Sequence, residues 1–242
     1  MMMSKQILIT NDDGISAGGI RKLAEIARGF GDVTVVAPDG QRSAASHQCI
    51  FSRPLILKEY DFGMEGIHAY TLDGTPADCV RVGIFAAMDH KPDVVLSGIN
   101  HGYNISSDIQ YSGTVGAALE ASVLGVHAIA LSYGSYSFEA TDILDRYLPE
   151  LLDEYMEKPL PANQIWNINI PACSAEECMG IMRNTVMNGD YFYDDQYMKE
   201  EIGEKTWSVT TVSRKIWKGA DHSDMSAVMH QYISVGTVTN LT

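Results

Sequence analysis

Up to Ile170, short apolar runs alternate with stretches in which apolar residues recur every three or four positions. Residues 6–10 (QILIT) form a β-branched run that reads as a buried strand. After a glycine-punctuated turn at 14–19, Ile20, Leu23, Ala24, Ala27 and Phe30 share one helical face, which Gly31 is expected to end by taking the left-handed conformation. Residues 32–37 (DVTVVA) form a second strand, stopped by Pro38. Strand, helix and strand in that order predict the right-handed βαβ unit of a parallel sheet.

The rhythm continues with a helix over 78–88, a strand over 93–97, a small-residue helix over 114–124 and a strand over 128–132. A long amphipathic helix runs from Ile143 to Tyr155, and Pro149 inside it is expected to kink or divide it. Residues 165–170 resume the sheet. Beyond Pro171 the texture changes to short strand-like segments at 191–193, 206–212 and 232–238 between charged turns. The pattern predicts an α/β fold, a Rossmann-like, doubly wound, mostly parallel sheet in a single domain. Its core is expected over about residues 5–172. A β-rich oligomerisation extension over about 173–242 carries aromatics suited to subunit contacts.

Composition narrows the chemistry. A chain of 242 residues can hide roughly 70–75% of its unfolded surface. Its 17 basic and 31 acidic residues give a net charge of −14, which argues against tracking a long nucleic acid or docking on an anionic membrane. Small anionic substrates remain open, because a metal ion can supply positive charge locally. The start lacks the apolar core of a secretory signal, and no apolar stretch approaches the ~20 residues of a membrane span. Four cysteines are too sparse for a disulfide scaffold. The expectation is a cytoplasmic protein with reduced thiols.

Ligands of open parallel sheets bind beyond the carboxyl ends of the strands. That rule selects residues 11–14 (NDDG), 39–46 (DGQRSAAS), 97–100 (SGIN) and 111–114 (YSGT). Asp12 and Asp13 are adjacent carboxylates whose repulsion a hard divalent cation would relieve. Asp12 could instead simply turn the chain into its loop. The neutral oxygens of Asn11, Ser43 and Asn100 at neighbouring strand ends favour the metal. Ser112, Gly113 and Thr114 open a helix, where unsatisfied N–H groups and hydroxyls suit a phosphate; an ordinary helix cap is the alternative. No P-loop, dinucleotide G-x-G-x-x-G or G-x-S-x-G elbow is present. His47, His101 and His222 lack ligand-like partners three or four residues away.

The segments ILITNDDG, VVAPDGQRSAAS, DGTPADCV, VLSGIN and YSGTVGAALEA, in this order, resemble the survival protein E (SurE) family of metal-dependent 5′/3′-nucleotidases. The resemblance spans about residues 7–170, with an echo at 223–232. It implies phosphomonoester hydrolysis of nucleoside monophosphates by metal-activated water, with a side activity on short polyphosphate. It also implies one Mg²⁺ or Mn²⁺ per subunit (Ca²⁺ as a substitute) and a homodimer or homotetramer. Asp12, Asp13, Ser43 and Asn100 would be the metal ligands, with Asp12 or Asp13 assisting the water. Asn11, Asn104, Ser112, Gly113 and Thr114 would surround the phosphate. His101 stands where small residues are common in the family. The competing readings are a non-hydrolytic nucleotide-binding regulatory module and an aspartyl-phosphate phosphatase, whose D-x-D-x-T this chain lacks.

Overall fold

The computed structural model describes residues 4–135, 137–138 and 141–240. Its centre is a nine-stranded sheet. Six strands are parallel: β1 (Lys5–Thr10), β2 (Gly31–Pro38), β4 (Ile67–Leu72), β5 (Val94–His101), β6 (His127–Tyr133) and β7 (Gln164–Ile170). They lie in the spatial order β4-β2-β1-β5-β6-β7. Counting parallel strands alone, this is the 3-2-1-4-5-6 path of a dinucleotide-binding fold, with its reversal between β1 and β5. The short β3 (Leu57–Glu59) closes one edge antiparallel to β4.

Both faces of the sheet are covered, which is why its strands read as continuous apolar runs. Ile7 and Ile9 of β1 point to one side, against α1 (Gly18–Ala27) and α4 (Asp142–Glu157). Leu8 points to the other, against α2 (Pro76–Val82) and α3 (Gly113–Val123). Side chains alternate across a strand, so one run feeds two cores. Among the described residues, no helix is long and apolar enough to cross a membrane.

Several local expectations are corrected. The first helix ends at Ala27, three residues before Phe30, and Gly31 opens β2, paired with Lys5, instead of capping the helix. Pro149 does not divide α4, which runs unbroken for 16 residues because its buried stripe (Leu144, Leu148, Leu151, Leu152 and Tyr155) holds it against the sheet. The 78–88 helix begins at Pro76, is regular only to Val82, and continues as a wider turn over Gly83–Ala87.

The C-terminal third divides in two. β8 (Ile181–Thr185) and β11 (Ile233–Thr239) extend the main sheet, β11 antiparallel to β7 and β8 parallel to β11. A short helix, α5 (Asp224–Met229), precedes β11. Among the described residues, only β9 (Tyr193–Gly203) and β10 (Thr206–Lys215) stand apart, as a two-stranded antiparallel hairpin. The extension is thus a single long hairpin, attached where 106–111 meets 190–193.

Candidate active site

The site lies at the carboxyl edge of the sheet, at the reversal between β1 and β5. β1 delivers Asn11, Asp12 and Asp13. The Asn11 side chain closes the turn on itself: its amide donates to the Gly14 carbonyl at 3.0 Å, and its oxygen accepts from the Gly14 N–H at 3.2 Å. That loop is tied to the one after β2, where the Arg42 N–H donates to the Asp12 carbonyl at 2.6 Å. The β2 loop is tied in turn to the segment before α3, with the Ser46 N–H on the Tyr111 carbonyl at 3.1 Å and the Ser46 hydroxyl on the Gln110 carbonyl at 2.6 Å.

β5 delivers Asn100 through an irregularity. Ser97 pairs with Ala130 but Asn100 with Ser132, so one residue of β5 is extra. Such a bulge bends a strand and re-aims the side chains beyond it. Gly98 permits it: its φ is +142°, and a Cβ there would lie 2.3 Å from the Leu131 carbonyl oxygen. The Asn100 amide nitrogen donates to the Gly102 carbonyl at 3.0 Å, which leaves the side-chain oxygen as an acceptor at the cleft.

The two carboxylates are held differently. Asp12 is buried, its Oδ1 accepts from the Thr114 hydroxyl at 2.7 Å, and its acidity is weakened, its pKa pushed up to about 6. Burial is the main cause; the Thr114 bond opposes it and the Asp13 charge adds to it. Asp13 Oδ2 accepts from the His101 backbone N–H at 3.1 Å, and His101 Nδ1 lies 3.7 Å from Asp13 Oδ1. Burial raises the Asp13 pKa as well, against the opposing pull of His101. Both acids resist ionisation and stand side by side at the end of β1, and perturbed carboxylates of this kind cluster at functional sites.

Asp12, Asp13, Ser43, Asn100, Asn104 and Ser112 line one cleft of about 1020 Å³. Asn11, Gly113 and Thr114 do not line it. Asn11 and Thr114 instead hold the aspartate loop, and Gly113 lies against the Asp12 side chain. The Ser112 hydroxyl caps α3 by accepting from the Val115 N–H at 3.1 Å. Asn104 donates to the Ser132 hydroxyl at 2.8 Å, while its carbonyl accepts from the amides of Asn167 and Asn169 at 2.9 and 3.0 Å.

The cleft also holds residues that strand-end reasoning missed. Tyr103 precedes the 3₁₀ turn at Ser106–Tyr111 and Tyr111 ends it, while Tyr191, Tyr193 and Tyr197 come from the hairpin and its base. The Asp108 carboxylate ties these parts together, accepting from the backbone N–H groups of Phe192 at 2.6 Å and Tyr193 at 3.0 Å. The alternation of Tyr193, Asp195 and Tyr197 was the available signal, since it marks one face of a strand. His101 and His47 also have partners distant in sequence: Asp13 for the first, and Glu120 for the second, at 2.6 Å.

A family model described as survival protein SurE matches residues 7–192. The chain belongs to the SurE family. A 5′-nucleotidase SurE of Carboxydothermus hydrogenoformans is 39% identical over 241 residues, covering 96% of this chain and 89% of that one. One from a Thermoanaerobacter species is 38% identical over 234 residues, with coverage of 95% and 90%. The crystal structure of the SurE protein of Aquifex aeolicus superposes with a TM-score of 0.82 at 33% identity, over 98% of this chain and 94% of that one. The SurE family match stops one residue short of β9, so the hairpin lies outside it.

Proposed function

We propose that the chain is a divalent-metal-dependent phosphomonoesterase that hydrolyses nucleoside monophosphates to nucleoside and phosphate. The observation that carries this is the Asp12–Asp13 pair: one buried and one partly buried acid, both of raised pKa, that share a cleft with the oxygens of Ser43 and Asn100. The SurE relatives from Carboxydothermus and Thermoanaerobacter carry the name 5′-nucleotidase.

The donor chemistry fits a hard cation. Among the described residues, no group of three or more His, Cys, Asp and Glu is placed to hold a metal. The available set is therefore two carboxylates, an amide oxygen and a hydroxyl, all oxygen donors of the kind that Mg²⁺ and Mn²⁺ prefer. Asp12, Asp13, Ser43 and Asn100 would hold the ion, which when bound supplies Lewis acidity to the phosphoryl group and the attacking water.

The remaining steps belong to the chain. Ser112, at the start of α3, and Asn104 face the cleft where the phosphate would lie, and the positive end of the helix favours negative charge there. Thr114 and the His101 backbone fix one oxygen of Asp12 and one of Asp13, so the carboxylates need little reorganisation on loading. Asp12 or Asp13 accepts a hydrogen bond from the attacking water and orients it.

Asp12→Asn and Asp13→Asn are each expected to abolish Mn²⁺- or Mg²⁺-dependent phosphate release from AMP and GMP. Full activity in both variants would overturn the assignment. Tight, metal-dependent AMP binding without phosphate release would instead establish the non-hydrolytic module. The hairpin exposes Met198, Ile202 and Val209, apolar surface suited to a second copy of the chain, and the assembly is read as a homodimer or homotetramer. A monomer by light scattering would overturn that reading.

A further inference from the structure

The cleft is larger than a phosphate needs, and part of its lining is aromatic. At about 1020 Å³ it has room for a whole nucleoside monophosphate. Tyr111 immediately precedes Ser112 and is 67% exposed. Tyr191 is 50% exposed and Tyr197 is 68% exposed, and all three line the same cleft as Asp12 and Asp13. Large aromatic rings left in water cost burial energy unless something covers them.

The backbone keeps these rings in a fixed relation to the phosphate end. The Ser107 N–H donates to the Asp190 carbonyl at 3.2 Å, and Asp108 accepts from Phe192 and Tyr193. The segment that leads into Ser112 is therefore the one that anchors the base of the hairpin. Within β9, Tyr193, Asp195 and Tyr197 lie on one face, and Asp195 pairs across the hairpin with Ser213, another cleft residue. Phe192 is fully buried and packs edge-on against Tyr103 and Trp217, with ring centroids 6.1 and 4.9 Å apart, so the root of the hairpin is rigid.

We propose that Tyr111, Tyr191 and Tyr197 form the base subsite, in which the purine or pyrimidine of the substrate stacks on tyrosine rings while its phosphate lies at Asp12, Asp13 and Ser112. This rests on the nucleotidase reading and adds the part that tells a nucleotide from any other phosphomonoester. Every base has a π-face, so stacking tolerates base identity. The subsite favours nucleotides over sugar phosphates and discriminates weakly among the bases. Asp194 is paired with Arg214, but among the described residues the cleft acid Asp195 faces only the Ser213 hydroxyl and adds negative charge on the hairpin side, which disfavours a second phosphate there and favours monophosphates over diphosphates.

The test compares kcat/KM for AMP with kcat/KM for ribose 5-phosphate, which keeps the phosphate and sugar but lacks the base. Stacking on one ring contributes about tenfold or more in affinity by alanine substitution. Tyr197→Ala and Tyr191→Ala are each expected to lower the AMP to ribose 5-phosphate ratio about tenfold, chiefly through KM for AMP. Tyr197→Phe and Tyr191→Phe keep the ring and are expected to restore it. A purely structural role would lower both substrates together. If both fall in step, or neither falls, the subsite is overturned. Should the wild-type protein hydrolyse no phosphomonoester, the nucleotidase reading fails separately, and AMP affinity measured by calorimetry decides the subsite: loss in both alanine variants supports it and retention overturns it.

Discussion

Thr114 and Asp12 are 102 residues apart in the chain, yet the Thr114 hydroxyl donates to Asp12 Oδ1 at 2.7 Å in a buried contact. The bond joins the loop after the first strand to the first turn of α3, and it opposes the burial that keeps Asp12 from ionising. A hydrogen bond to a charged group contributes about 1.5–3 kcal/mol. Thr114→Val keeps the shape and removes the donor. It should raise the Asp12 pKa further and weaken Mn²⁺ binding at pH 7 by about tenfold or more. Calorimetric titration from pH 6 to 8 checks this: the variant needs a higher pH to reach a given affinity. Equal affinities across that range would show that the bond does not tune the carboxylate.

Gly116 sets how closely α3 approaches the loop that carries Ser43. A Cβ on Gly116 would fall 2.2 Å from the Ser46 carbonyl oxygen and 2.7 Å from its carbon. Backbone cannot yield as the end of a flexible side chain can. Gly116→Ala should therefore displace residues 43–47, costing about 1–3 kcal/mol in stability and a larger share of metal affinity. Urea denaturation alongside Mn²⁺ titration reads both. A variant with wild-type affinity would mean that the loop contributes no ligand.

Legibility in the sequence followed the range of the interactions. β1, α3 and the placement of Asp12, Asp13, Ser43, Asn100 and Ser112 at one sheet edge could be read because periodicity and strand-end rules are local, and the fold then brings the ends together. The longer β5 was not legible, because its bulge at Gly98 depends on the Leu131 carbonyl of the next strand. The hydrogen bonds of Thr114 to Asp12 and of Asn11 to Gly14 were hidden in the same way, because a side chain's partner is set by the fold and not by its neighbours in sequence. That the hairpin tyrosines also line the cleft is not legible in the chain, because it depends on Asp108 holding the backbone at the base of the hairpin. That β8 and β11 join the main sheet is likewise not legible in their own residues, since a strand's sheet is set by its partners.

Glu120 links α3 to its surroundings through two side chains, with His47 Nε2 and Arg81 Nη1 each 2.6 Å from its carboxylate. The His47 bond, with Arg81 behind it, holds the Glu120 pKa below the usual carboxylate range against the effect of burial. A lowered folded-state pKa stabilises above the unfolded value and is lost as the pH falls through the folded one. Glu120→Gln should cost about 1–2 kcal/mol at neutral pH, because part of the network is open to water. In thermal melts the gap between variant and wild type should narrow toward pH 4. A gap that stays constant down to that pH would assign the loss to packing.

Asp12→Asn should separate stability from function. The folded pKa of Asp12, about 6, lies above the ordinary value of 3.8, so the metal-free folded protein binds more protons than the unfolded chain between those values. Its stability therefore falls as pH rises from about 4 to about 6, and above that the full ionisation cost is present. The shift of about two units corresponds to roughly 3 kcal/mol. Asparagine carries no charge, can still accept the Thr114 hydrogen bond, and relieves the repulsion with Asp13. In EDTA at pH 7.5 the variant should melt several degrees higher than wild type, and the difference should shrink by pH 5, where wild-type Asp12 is largely protonated. With Mn²⁺ present the order should reverse, because the wild type alone gains the binding energy of the ion. A variant that melts lower than wild type in EDTA at pH 7.5 would show that ionised Asp12 is stabilised without a metal, and the pair would lose its claim to be a cation site.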